Sequence, residues 1–344
     1  NYNGIIKNLT NSGLITGNSS SGNWCTGNGI INLDAKIETL LNNGLITGNI
    51  NNSTDYNSNE IYYSSNGILN YGNLITILTN NGIILGKSNT QDLNGGNGIY
   101  NYFGTITTLI NYGIIAGNNK AIYNSSGTIN QTNYGLLIDE AGTDNQTINA
   151  GAGGEQTIDG VNKFIINGVD ENTTASAIKS SELERKITTN KNNYYDEEFK
   201  IFSNLIVNVV GDTDTSLNLD TSLSTLSSTI NGYKDAIVFT EKGKTFYGQN
   251  VIINGGENAF VGSEGNDTIE LKKLIDGQPA KSIVNGNITL GKGNDILSAK
   301  DGTTINGNIW STYEIIPGLK YKFNMGVDMY RYMVQNYIAD YSVL

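Results

Sequence analysis

The sequence predicts an all-β fold, a parallel β solenoid with loop insertions, from three observations. Gly is frequent (42 of 344 residues) and Pro is rare (2 residues). Aliphatic residues recur at fixed offsets from the glycines, which disordered low-complexity chains do not show. Above all, a block with an invariant Asn and Gly recurs five times: NSGLI at 11–15, NNGLI at 42–46, NNGII at 80–84, NYGII at 111–115 and NYGLL at 133–137. Such a repeat needs stacked neighbours to bury its apolar edge.

Each repeat unit contains three short strands. The upstream halves of the blocks read GILNYG at 67–72, GIYNYFG at 98–104 and AIYNSSG at 121–127. Joined to the blocks, they give three aliphatic segments separated by Asn and Gly corners, where these residues tolerate positive φ. We expect asparagines at equivalent corners to hydrogen-bond to one another along the stack.

The spacing of the blocks predicts loop insertions on one side of the solenoid. The shortest interval, from Gly113 to Gly135, is about one bare coil of a parallel β-helix, and longer intervals contain additional residues. These insertions all follow the closing Gly of a block, so they should leave the same corner, where binding faces are commonly built. They span residues 18–28, 49–65 and 87–97.

The sequence pattern divides the chain into four regions. In the second region, residues 180–186 predict a capped short helix. In the last region, the Met, Tyr and Arg residues of 321–344 have a spacing nearer to that of a helix than to that of the coils. The regions are regular coils with insertions at 1–138, irregular coils with a polar, helix-containing excursion at 139–200, continued solenoid at 201–310, and an unassigned non-repeat tail at 311–344.

Composition excludes several functions. A net charge of −11 argues against nucleic-acid binding, which needs clustered Lys and Arg. The chain has no His, which removes the usual hydrolase triads and the commonest zinc ligand, so we predict no metal and no cofactor. Cys25 is the single cysteine, and either pairs outside this chain or serves as a small residue. The first residues of the chain already resemble a repeat, so we expect the chain to be part of a longer exported protein.

Three sets of carboxylates are candidates for calcium binding or catalysis. The Gly-Asn-Asp motifs that end at Asp267 and Asp295 are similar to calcium-binding β-roll repeats, but the aspartates are 28 residues apart and each repeat is incomplete. An ordinary solenoid corner is the better interpretation. Glycoside hydrolysis needs two carboxylates at a fixed separation. The two sets of carboxylates that lie nearest together in sequence fall in polar stretches typical of turns, so we predict no catalytic site. They are Asp212, Asp214 and Asp220, and Asp139 with Glu140.

Aromatic residues in the insertions are the best candidates for ligand contact. Rings can stack on the apolar face of a sugar or act as hot spots in a protein interface, while neighbouring polar groups bind hydroxyls. The alternative is that these rings pack the loops onto the solenoid. The predicted ligand-binding residues are Trp24, Tyr56, Tyr62, Tyr63, Asn23 and Asp55, and a second, weaker pair is Tyr194 with Tyr195.

Several stretches resemble the passengers of large type V autotransporter adhesins, in the Asn- and Ile-rich style of fusobacterial outer-membrane adhesins. The stretches are LTNSGLITG at 9–17, STINGYKDAIVF at 228–239 and ITLGKGND at 288–295. The resemblance covers about residues 1–310. It implies a right-handed parallel β-helix, exported by a signal peptide and displayed on the bacterial surface by a C-terminal barrel beyond this chain.

This resemblance implies a function in attachment to host cells or to other bacteria. The expected partner is a surface glycan or protein receptor, bound without catalysis, and the expected location is the bacterial cell surface or the secreted fraction. One alternative is a structural stalk with no ligand of its own. The other is a polysaccharide-degrading β-helix enzyme, which the sequence favours less.

Overall fold

The described part of the chain is mostly β-strand with stacked parallel sheets and one α-helix, which confirms the all-β, solenoid-like prediction. Contacts divide the chain into two compact units, unit 1 from Asn1–Ser176 and Ile206–Asp212, and unit 2 from Ala177–Leu205 and Thr213–Leu344. The computed structural model describes residues 1–19, 27–50, 65–88, 95–168, 178–190, 192–210, 217–271, 281–299, 302–316 and 319–325.

The first half of the chain forms short strands of four to eight residues. In chain order they are β1 Ile5–Asn11, β2 Leu14–Ser19, β3 Ile30–Leu33, β4 Lys36–Asn42, β5 Leu45–Ile50, β6 Ile68–Tyr71, β7 Leu74–Asn80, β8 Ile83–Lys87, β9 Ile99–Tyr102, β10 Thr105–Asn111, β11 Ile114–Gly117, β12 Ile122–Ser125, β13 Thr128–Asn133, β14 Leu136–Asp139, β15 Thr147–Ala150, β16 Gly154–Ile158 and β17 Val161–Gly168.

The second half adds a helix and further strands. They are β18 Ile178–Lys179, α1 Ser180–Asn190, a 3-10 helix Asn192–Tyr194, β19 Tyr195–Asp196, β20 Ile201–Ser203, β21 Leu205–Val209, β22 Leu217–Leu219, β23 Leu223–Leu226, β24 Thr229–Gly232, β25 Asp235–Phe239, β26 Thr245–Gln249, β27 Ile252–Val261, β28 Thr268–Leu271, β29 Ile283–Thr289, β30 Ile296–Ala299, β31 Thr304–Asn306, β32 Ile309–Ile316 and β33 Leu319–Met325.

Unit 1 is a stack of three-stranded coils. Every third strand pairs in parallel with its equivalent in the next coil, which confirms the predicted unit of three strands. The three sheets run β1-β4-β7-β10-β13, β2-β5-β8-β11-β14 and β3-β6-β9-β12. The antiparallel strand β15 follows β14 at the edge of the second sheet, and β16 forms an antiparallel hairpin with β17.

The interior of unit 1 is built from aliphatic residues in register. Ile37, Ile75 and Ile106 are paired across neighbouring strands, and each is fully buried. Leu40 and Leu78 repeat the pattern three residues later. Burial of an aliphatic side chain stabilises the fold by roughly 1.5–3 kcal/mol relative to exposure, and each coil supplies several such side chains.

Buried asparagines stack at the coil corners, as the sequence predicts. Nδ2 of Asn11 donates to Oδ1 of Asn42 at 2.9 Å, and Asn42 donates to Asn80 at 2.8 Å. The series continues from Asn80 to Asn111 at 2.7 Å and on to Asn133 at 2.8 Å. The amides of Asn42, Asn80 and Asn111 also donate to backbone carbonyls of the next coil, so the hydrogen bonds of these buried side chains connect neighbouring coils.

Unit 2 also has parallel sheets with equivalent strands in register. One sheet runs β20-β23-β26-β28-β30, and in a second sheet β27 pairs in parallel with β24, β25 and β29. A second asparagine ladder runs through this unit, with side-chain hydrogen bonds of 2.8 Å along Asn231, Asn254, Asn285 and Asn306. Buried Phe246 and Phe260 pack at 5.3 Å between ring centroids.

Helix α1 confirms the helix predicted over 180–186 and extends it to Asn190. Leu183 and Ile187, one turn apart, are its buried apolar side chains among those described. Within the tail that the sequence leaves unassigned, residues 319–325 form β33, which pairs antiparallel with β32. Residues 326–344 lie outside the described part of the chain. No described helix combines the length and apolar character that a membrane span requires.

Candidate binding face

The described ends of the three insertions lie at one corner of unit 1. Strands β2, β5 and β8 are neighbours in one sheet, and Gly17, Gly48 and Gly86 are in register near their ends. The insertions end at β3, β6 and β9, which are neighbours in the next sheet. Three consecutive coils therefore extend additional chain from the same corner, which we call the insertion corner.

The fourth coil shows how little chain this corner requires. Gly117 is in register with Gly86, and Ile122 is in register with Ile99. Only residues 118–121 connect β11 to β12 in that coil. The longer connections of the first three coils therefore contain residues that the solenoid does not need to close its turn.

Close approach of the returning chain explains the closing glycine of each block. A Cβ on Gly48 would lie 2.1 Å from the carbonyl oxygen of Asn66, and one on Gly86 would lie 2.1 Å from that of Asn97. Gly17 has the same relation to Asn28, at 2.0 Å. Because no side chain fits there, the chain leaves the corner and returns to it at a fixed point.

A third asparagine ladder fixes the returning ends of the insertions. Nδ2 of Asn66 donates to Oδ1 of Asn28 at 3.0 Å, and Asn97 donates to Asn66 at 3.0 Å. In the fourth coil, the backbone N–H of Lys120 donates to Asn97 at 3.2 Å. All three asparagines are buried. The base of the insertion corner is therefore a hydrogen-bonded platform in register across four coils.

The ligand-binding residues predicted from sequence belong to the first two insertions. They all lie outside the described residues, as do Cys25, Asp212 and Asp214. The described structure positions only the ends of the segments that carry them. The residues concerned are Trp24, Tyr56, Tyr62, Tyr63, Asn23 and Asp55.

The carboxylates Asp139 and Glu140 make structural contacts beside this corner. Oδ1 of Asp139 accepts a hydrogen bond from the backbone N–H of Ala121 at 2.7 Å. The ammonium group of Lys120 lies 3.5 Å from Oδ2 of Asp139 and 3.9 Å from Glu140. These bonds connect the fourth and fifth coils, as the corner asparagines do elsewhere.

Asp267 and Asp295 lie in neighbouring coils of unit 2. The two oxygens of Asp267 accept from the backbone N–H groups of Lys244 at 3.0 Å and Ser263 at 2.6 Å. Oδ1 of Asp295 accepts from the N–H of Asp267 at 2.9 Å. Burial raises the pKa of Asp295 to about 6, against the opposing effect of that hydrogen bond. No three Cys, Asp or Glu side chains of the described residues converge as a metal site requires.

The structure places Tyr194 and Tyr195, the second aromatic pair predicted from sequence, in different environments. Tyr194 is buried, with 3% of its surface exposed, so its selection as a ligand contact is wrong. Tyr195 is half-buried and its ring lies 4.6 Å from that of Phe202. The sequence did not reveal that helix α1 brings Glu184 to the Tyr195 hydroxyl, where the two groups form a hydrogen bond. An interruption of the repeats by a helix was the only signal for it.

Comparison of the chain with protein-family models, curated proteins and solved structures found no match. The class that the structure itself defines is a parallel β solenoid-like protein with insertions at one corner.

Proposed function

We propose that this chain is a surface-exposed segment of an autotransporter adhesin passenger, built as a right-handed parallel β-helix. It attaches the bacterium to host cells or to other bacteria by binding a glycan or protein receptor, without catalysis. The observation that carries the proposal is the insertion corner, where three consecutive coils extend additional chain and the fourth coil closes with four residues.

The register of the coils supports a shared binding surface at this corner. Neighbouring strands in a sheet are about 4.8 Å apart, so insertions from consecutive coils begin side by side. Their returning ends are held by the ladder through Asn28, Asn66 and Asn97. A rigid scaffold that presents adjacent loops is the usual arrangement of a recognition surface.

The chemistry of the insertions suits a surface receptor. Trp24, Tyr56, Tyr62 and Tyr63 supply aromatic rings, which stack on sugar faces or fill pockets of a protein partner. Asn23 and Asp55 supply hydrogen-bonding groups beside these rings. The net charge of −11 favours a neutral or basic receptor over nucleic acid.

The test compares wild-type chain with a variant in which the four insertion aromatics are changed to alanine: Trp24, Tyr56, Tyr62 and Tyr63. Saturable binding to cultured epithelial cells and to partner bacteria is expected for the wild type and is expected to fall at least tenfold in the variant, because aromatic anchors dominate interface energies. A control variant changes Tyr2 and Phe103, which are exposed aromatics outside the insertions, to alanine.

Three results would count against this proposal. Undiminished binding by the four-alanine variant would remove the aromatic insertions from recognition. Equal losses in the control variant would show that the effect is not specific to the insertion corner. Absence of binding by folded wild-type chain would favour a structural stalk, whose ladders and stacked coils hold a recognition site located elsewhere.

A further inference from the structure

A cleft of about 380 Å³ lies in unit 2 between helix α1 and the neighbouring solenoid strands. Helix α1 provides one wall, the β19–β20 pair provides the aromatic side, and the turn into β23 provides the opposite wall. Its volume falls within the range of small-molecule sites. We call it the α1 cleft. The lining residues on which the argument depends are Glu184, Tyr195, Lys200, Phe202, Ser222 and Ser224.

The aromatic side of the α1 cleft is a supported ring. Phe202 is buried, and its ring lies 4.6 Å from that of the half-buried Tyr195. Burial and the hydrogen bond to Glu184 raise the pKa of Tyr195, so its hydroxyl stays protonated at neutral pH. The ring is therefore fixed in position and offers an apolar surface of the kind that packs against sugar C–H groups.

The polar walls offer both hydrogen-bond acceptors and donors. The Glu184 side chain is exposed at the cleft and supplies a carboxylate, which accepts strongly from hydroxyl groups. On the opposite side, Ser222 is exposed and Ser224 is half-buried, and each hydroxyl can donate and accept. Carboxylate and hydroxyl groups around a ring complement a ligand that carries several hydroxyls of its own.

A hydrogen-bonded clip holds the two walls together. The hydroxyls of Ser180 and Ser181, at the start of α1, both donate to Asp220, which precedes β23. The Ser180 hydroxyl also lies 2.9 Å from that of Thr221. Burial tends to raise the pKa of Asp220, but these hydrogen bonds outweigh it and the pKa is lowered. The carboxylate is thus ionised at neutral pH and keeps α1 against the coil.

The charges of the α1 cleft disfavour phosphate and acidic ligands. Lys200 supplies the cation among its lining residues, and its ammonium group already lies 3.3 Å from Glu197. The same group lies 5.9 Å from the centre of the Tyr195 ring. Glu184 adds a negative charge to the wall. A neutral ligand meets these groups without repulsion from the carboxylates.

We propose that the α1 cleft binds one unit of a neutral saccharide, a hexose or an N-acetylhexosamine. The ring of Tyr195 packs against one face of the sugar, and Glu184, Ser222 and Ser224 bind its hydroxyls. This site belongs to unit 2, so it is separate from the insertion corner and does not rest on the function proposed there.

The test begins with the purified chain on an array of defined neutral and acidic oligosaccharides. The neutral saccharide that binds most tightly is then titrated by calorimetry against the wild type, Glu184→Gln and Tyr195→Leu. Each change is expected to raise Kd about tenfold or more, because a charged hydrogen bond or an aromatic contact is lost. The matched control is Glu182→Gln on the same helix, where Glu182 faces Lys186 at 3.6 Å.

Two outcomes overturn the proposal. One is that the folded chain binds no neutral saccharide on the array. The other is that the Kd of Glu184→Gln stays within about threefold of wild type, with thermal melting showing that the variant is folded. The variant with alanine at Trp24, Tyr56, Tyr62 and Tyr63 should retain saccharide binding, which distinguishes the two proposed sites.

Discussion

Nδ2 of Asn80 lies 2.7 Å from Oδ1 of Asn111, and both side chains are buried at the same corner of neighbouring coils. Asn80 also accepts from Asn42 at 2.8 Å on its other side. One side chain therefore connects three coils. This relation explains why the blocks keep an asparagine at that position, since a shorter or apolar side chain would leave its neighbours with unmet hydrogen bonds.

Replacing Asn80 with alanine should destabilise unit 1 by roughly 2–3 kcal/mol, because buried polar groups on both neighbouring asparagines lose a partner. The measurement is the urea midpoint, followed by circular dichroism. Asn130→Ala is the matched control, since Asn130 is exposed and donates only to the carbonyl of Thr107 among its described bonds. Equal midpoints for Asn80→Ala and the control would contradict the ladder account.

Replacing Gly82 with alanine should destabilise unit 1 by about 3 kcal/mol or more, because overpacking against a rigid neighbour forces backbone shifts. The new Cβ would lie 2.0 Å from the carbonyl oxygen of Gly44. At Gly4, by contrast, the nearest atom to a new Cβ is a side-chain oxygen of Asn1 at 2.9 Å. Thermal melting should therefore separate Gly82→Ala from Gly4→Ala, and a wild-type melt for Gly82→Ala would refute the close approach.

The stability of unit 2 should depend on pH through Asp295. Because its pKa is raised to about 6 from an ordinary value of 3.8, the folded state binds more protons than the unfolded state between these values. The stabilising contribution of the protonated form is therefore present at pH 4 and is lost as pH rises to about 6. Urea midpoints measured from pH 4 to pH 7 test this decline.

Asp295→Asn should remove that decline and raise stability at neutral pH, because an amide carries no charge into this half-buried position. Its Oδ2 atom is buried and has no hydrogen-bond partner among the described residues. The exposed Asp144→Asn serves as a control that should leave the decline in place. If Asp295→Asn keeps the wild-type pH profile, another group is responsible.

Calcium should not stabilise the chain through Asp267 and Asp295. Both oxygens of Asp267 already accept backbone N–H groups, and calcium needs six or more oxygen ligands. The melting temperature in excess EDTA should equal that in millimolar calcium. A rise on calcium addition that Asp267→Asn abolishes would restore the β-roll interpretation.

The solenoid could be predicted because its strongest determinants are local and repeated. The Asn-x-Gly blocks set the corner positions, and the spacing between Gly113 and Gly135 gives the length of a bare coil. Equivalent residues in successive coils meet the same environment, so one correct interpretation extends to all of them. The positions of the insertions followed from that register.

The α1 cleft could not be predicted in the same way, because it depends on contacts that do not repeat. The hydrogen bonds from Ser180 and Ser181 to Asp220 connect residues about 40 apart in sequence. Tyr194 and Tyr195 are adjacent and cannot be distinguished by sequence, yet Tyr194 is buried and Tyr195 lines the cleft. The strand at 319–325 could not be predicted from the repeats, because it pairs antiparallel with β32 and not in the parallel register that the repeated coils share.

The most direct test of adhesion through the insertion corner uses the chain's own short connection. Residues 18–27, 49–65 and 87–96 are each replaced by Asn-Asn, the pair that follows Gly117 in the fourth coil. Asn28, Asn66 and Asn97 are retained, so the ladder at the corner is preserved. We expect unchanged circular dichroism and loss of saturable binding to epithelial cells and partner bacteria. Binding of the trimmed chain with wild-type affinity would contradict the account.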